Sequence, residues 1–100
     1  PKWPVQVIDL RWIFPIDWHL ITEAVFRTRQ ILVVEPDVEY GGVGAEIIAY
    51  LAEFPPANEP LKMMKRLGGR RITLPASSVL HHLGMPTDAE IREAVEEIIR

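Results

Sequence analysis

Four consecutive apolar residues, Ile31-Leu32-Val33-Val34, stand between two stretches of helical periodicity, and this arrangement constrains the chain more than any other. Four is too few for a helix. A short apolar run of this kind suits a strand covered on both faces. Before it, Asp17 suits a helix N-cap and Pro15 discourages helix in the residue ahead of it. A helix is therefore expected from Trp18, with Leu20, Ile21, Ala24, Val25 and Thr28 on its buried side. After it, Ala45 to Phe54 repeats the helical pattern through Gly44, Ile47, Ile48 and Leu51 until Pro55-Pro56 stops it.

Two further strands are expected. Val5 to Leu10 is short and rich in β-branched residues, and Leu61 to Leu67 is amphipathic because of its lysines. Gly68-Gly69-Arg70-Arg71 reads as a turn, Ile72 to Leu74 as a brief extension, and Ser77 to Leu83 as a turn or two of helix. Thr87 and Glu90 have capping-box spacing ahead of Ile91, Ala94, Val95, Ile98 and Ile99, the apolar face of a last helix. Alternating strands and helices predict a small α/β domain with strands at about 5–10, 31–35 and 61–67 in one sheet.

The 100 residues allow one domain at most. A net charge of −3 argues against general nucleic-acid binding. The absence of cysteine excludes disulfides and thiolate metal sites, and fits a reducing compartment. No apolar run approaches the roughly 20 residues of a membrane span. The opening Pro1-Lys2-Trp3-Pro4 lacks an initiator Met and reads as a cut inside a longer chain.

Several residues could carry chemistry. Gly41, Gly42 and Gly44, between a strand and a helix, could gather backbone N–H groups into an anion site. The plainer reading is a tight turn with close helix–sheet packing, since Glu35 and Glu46 would repel a phosphate and no Walker or dinucleotide pattern is complete. Asp9, Arg11 and Asp17 could form an acid–base group, though loop anchoring or an ion-pair network suits them better. His81 and His82 are adjacent and would diverge by about 100° on a helix, so they make a poor metal pair. Lys62, Lys65, Arg66, Arg70 and Arg71 form a basic run that could be a solvated edge or dock a partner.

Taken in order, Val7-Ile8-Asp9-Leu10-Arg11, Pro15-Ile16-Asp17, Leu32-Val33-Val34-Glu35 and Gly41-Gly42-Val43-Gly44-Ala45-Glu46 resemble the transketolase C-terminal domain family. The likeness is greatest to the beta subunits of thiamine-diphosphate-dependent 2-oxo-acid dehydrogenases. It runs on loosely through Lys65-Arg66-Leu67-Gly68, Leu74-Pro75-Ala76-Ser77, Leu80-His81 and Met85-Pro86-Thr87. The resemblance implies a three-layer α/β/α fold with a small mixed, mostly parallel sheet that lacks the family's opening strand and helix.

It also implies a non-catalytic C-terminal domain, residues 1–100, of a larger decarboxylating enzyme, with Asp9, Arg11, Pro15, Asp17, Glu35, Gly41, Gly42, Gly44 and Glu46 as interface or structural positions. Lys65, Arg66, Arg70 and Arg71 would be partner-docking candidates, although Gly69-Arg70-Arg71 departs from the Gly-x-Asp of many beta subunits. No catalytic, cofactor-binding or metal residue is expected here. Thiamine diphosphate and Mg²⁺ would belong to the parent enzyme, whose Gly-Asp-Gly motif and activating glutamate find no match in this chain.

Implied partners are the remaining domains or alpha subunit, a second copy in a dimer, and the lipoyl acyltransferase component, in the cytoplasm or mitochondrial matrix. A regulatory anion-binding module is the alternative, as is the same domain from a transketolase or deoxyxylulose-phosphate synthase. Trp3, Trp12, Phe14 and Trp18 supply more aromatic surface than so short a stretch needs for its own core, which predicts self-association or a face covered by partners. The alternative is that the rings fold back over the sheet and fill the space themselves.

Overall fold

A computed structural model describes residues 4–11, 15–38, 40–69 and 85–99. Asp17 starts helix α1 (Trp18–Thr28) as its sequence predicts: the carboxylate accepts the Leu20 N–H at 3.1 Å. The helix ends where Arg29 turns to φ 60° and donates its N–H to the Val25 carbonyl. Strand β1 (Gln30–Val38) follows at once. Helix α2 (Val43–Glu53) comes next, then a 3₁₀ turn at Pro56–Asn58, strand β2 (Met63–Gly69) and helix α3 (Asp88–Ile99).

The two strands pair in parallel, Gln30 beside Met63 through Val34 beside Leu67. Beyond Val34 the register shifts, and pairing resumes only at Val38 with Gly69. Pro36 lies in this interval and has no N–H to give a ladder, so the irregularity is where proline belongs.

Alternation along the strands sorts the helices into two layers. Ile31 and Val33 pack against the core cluster of Ile21 and Val25 from α1 and Ile47 and Leu51 from α2. These four are at most 5% exposed. Leu32 and Val34 face the other way, as does Lys65 of β2, which pairs with Glu97 of α3. Helices thus cover both faces of the sheet, giving the expected α/β/α order. Thr87 and Glu90 form the predicted capping box: Oγ1 of Thr87 accepts the Glu90 N–H at 3.1 Å, and Oε1 of Glu90 accepts the Thr87 N–H at 3.3 Å.

The expected strand at Val5 to Leu10 is a correction. No ladder pairs residues 4–11, and Val7 is 88% exposed. Asp9 supplies the competing local interaction. Its Oδ1 accepts the Arg11 N–H at 3.2 Å, and Arg11 takes φ 60°, which ends extended backbone at that point. Only Leu10 of this segment packs against the core. Among the described residues the sheet therefore has two strands, paired in parallel.

Gly68 and Gly69 lie within β2 and not in the expected turn. Pairing of Gly69 with Val38 keeps the chain extended through them. Arg70, Arg71, the Ile72 to Leu74 extension and the Ser77 to Leu83 helix lie outside the described residues.

Candidate functional site

In open α/β sheets, ligands favour the crevice beyond the carboxyl ends of the strands, where helix N-termini converge. Here that place is the turn from β1 into α2. Gly41 has φ +71°, a left-handed conformation that side chains resist, and the space around it is open. Gly42 is the N-cap of α2 and offers no side chain to the helix's free N–H groups.

Glu35 fills that role from the strand. Its Oε2 accepts the Gly44 N–H at 2.5 Å, a contact between part-buried groups. The bond places a carboxylate at the positive end of the α2 dipole. Gly44 is buried, and its missing Cβ leaves room for this close contact. A Cβ there would lie 2.9 Å from Glu35 Oε2, 3.2 Å from Val33 Cγ1 and 3.5 Å from Arg66 Cδ. The structure thus gathers Glu35, Gly44 and Arg66 at one point. Oε1 of Glu35 is buried and has no hydrogen-bond partner among the described residues.

The remaining expected site residues lie apart from this cluster. Asp9 and Asp17 each accept a backbone N–H, from Arg11 and Leu20 respectively, and form no ion pair with one another's neighbours among the described residues. Pro15 and Arg11 are exposed, and Glu46 is exposed in the first turn of α2. In the basic run, alternation sends Lys65 toward α3 and Arg66 toward α2, so these two do not share a surface.

Two features had no counterpart in the sequence expectations. One is Glu35 itself as the partner of Gly44. A carboxylate late in a strand, nine residues ahead of a buried glycine, is the signal that could have found it. The other is Arg29, which donates to the Pro56 carbonyl at 2.8 Å and to Glu59 at 3.0 Å. No local pattern announces an arginine at a left-handed helix end.

The aromatic expectation resolves in one place. Trp18 stacks on Tyr50 with centroids 4.0 Å apart, so its ring serves the α1–α2 contact inside the domain. Trp3, Trp12 and Phe14 lie outside the described residues.

A parallel strand pair, a glycine-rich crossover turn and helices on both faces define an α/β/α domain whose anion-prone helix end is closed by its own carboxylate. The chain belongs to the family described as Transketolase, C-terminal domain, which matches residues 2–91. It is 32% identical over 95 residues to the pyruvate dehydrogenase E1 component subunit beta of Rickettsia felis, covering 93% of this chain and 28% of that protein. It is 31% identical over 94 residues to the mitochondrial E1 subunit beta of Saccharomyces cerevisiae, covering 94% of this chain and 26% of that protein. For the mitochondrial subunit of Mus musculus the figures are 33% over 94 residues, 94% and 26%. The chain thus spans little more than a quarter of the length of these three relatives. No helix among the described residues is long and apolar enough to cross a membrane.

Proposed function

We propose that this chain is a non-catalytic assembly domain of a thiamine-diphosphate-dependent 2-oxo-acid dehydrogenase, in its decarboxylating component. The observation that carries this reading is the contact between Glu35 and the Gly44 N–H. A diphosphate placed at the N-terminus of α2 would meet a carboxylate already bonded there, so these residues do not fit the cofactor. The same contact weighs against a regulatory anion-binding module. Thiamine diphosphate and Mg²⁺ would be held by other parts of the enzyme.

Partners of the domain would be the alpha subunit and remaining domains, a second copy of the beta chain, and the lipoyl acyltransferase component. The names of the relatives favour a pyruvate-type dehydrogenase over a transketolase or a deoxyxylulose-phosphate synthase. The enzyme would then work in a bacterial cytoplasm or a mitochondrial matrix. Exposed apolar side chains at Val7, Tyr40, Phe54 and Phe26 supply surface of the kind that subunit contacts cover. Docking through the basic run Lys65, Arg66, Arg70 and Arg71 is not favoured by the described residues, since Lys65 pairs with Glu97 and Arg66 turns to the opposite face.

Calorimetric titration of the chain with thiamine diphosphate and Mg²⁺ tests the non-catalytic part. No binding heat is expected. Micromolar affinity, about −8 kcal/mol, overturns it. Sedimentation equilibrium over a wide concentration range tests the assembly part: a reversible dimer is expected, and a clean monomer at the highest concentration counts against it.

A further inference from the structure

We draw no further inference here: the strongest candidate, the buried Oε1 of Glu35 beside the N-terminus of α2, belongs to a carboxylate already bonded to the Gly44 N–H, and nothing else among the described residues points to a ligand there.

Discussion

Arg29 and Pro56 are joined by a 2.8 Å hydrogen bond from a guanidinium nitrogen to a backbone carbonyl, 27 positions along the chain. The same guanidinium donates to Glu59, and the Arg29 carbonyl accepts the Lys62 N–H at 2.7 Å. One residue therefore ties the end of α1 to the connection that leads into β2. Its side chain is only 15% exposed, whereas that of Glu59 is 74% exposed. The Pro56 bond should consequently matter more than the ion pair.

Arg29→Ala is expected to lower unfolding stability by about 1.5–3 kcal/mol, the range for hydrogen bonds from a charged group. Glu59→Ala should cost under about 1 kcal/mol. Urea denaturation of both variants decides the matter. Equal losses would show that the ion pair, and not the carbonyl contact, holds the connection.

Gly44→Ala is expected to destabilise by about 1–3 kcal/mol through overpacking, since the new methyl would press on Glu35 and Val33. Gly41→Ala meets open space and should lose about 1 kcal/mol from its left-handed backbone alone. Glu35→Ala combined with Gly44→Ala should lose less than the sum of the single variants, because the clash and the hydrogen bond share one carboxylate. Additivity within about 0.5 kcal/mol would show that the two sites do not interact.

Val7→Ser should change stability by no more than about 0.5 kcal/mol, because the side chain is 88% exposed and its segment joins no ladder. Leu51→Ala, at a position 1% exposed, should cost about 2–5 kcal/mol. Thermal or urea unfolding measures both. A loss above about 1 kcal/mol for Val7→Ser would mean that residues 5–10 pair as a strand after all.

Thr87→Ala removes the hydroxyl that accepts the Glu90 N–H, and should cost about 0.5–2 kcal/mol. Thr87→Ser keeps the oxygen and should retain most of the stability. Hydrogen exchange along Asp88–Ile99 provides a second readout, with faster exchange expected in the first turn of the alanine variant.

The helices were legible because each carries its own punctuation. Asp17 at a cap, Thr87 with Glu90, and Pro55-Pro56 after Leu51 are local chemistry that needs no distant partner. The apolar run 31–34 was legible for the same reason. Val5 to Leu10 was not, since β-branched composition makes a strand only where another edge is free to pair, and the Asp9 turn intervenes. Gly68 and Gly69 misled in the opposite direction: glycine suggests a turn, but pairing with Val38 keeps the chain extended.

At the site, the glycines were visible, as were the tight turn and close helix–sheet packing they allow, whereas the carboxylate that closes the helix end was not. Glu35 looked like a group that would repel an anion from the turn, and it stands in the place an anion would take. Distinguishing those two roles requires the distance from a strand end to a helix start. Sequence spacing alone does not supply it.

Every rung of the β1–β2 ladder joins positions more than thirty apart in the chain. Closing so long a loop costs entropy before any backbone bond repays it, so the ladder should form late and set the folding rate. The tie of Arg29 to the 3₁₀ turn sets Lys62 beside the start of β1, which should shorten the remaining search. In a chevron experiment, substitutions at Arg29 and Leu51 should slow refolding, while those at Thr87 should chiefly quicken unfolding. The crossover that places a helix over the sheet should thus also be the slow step by which the domain comes into being.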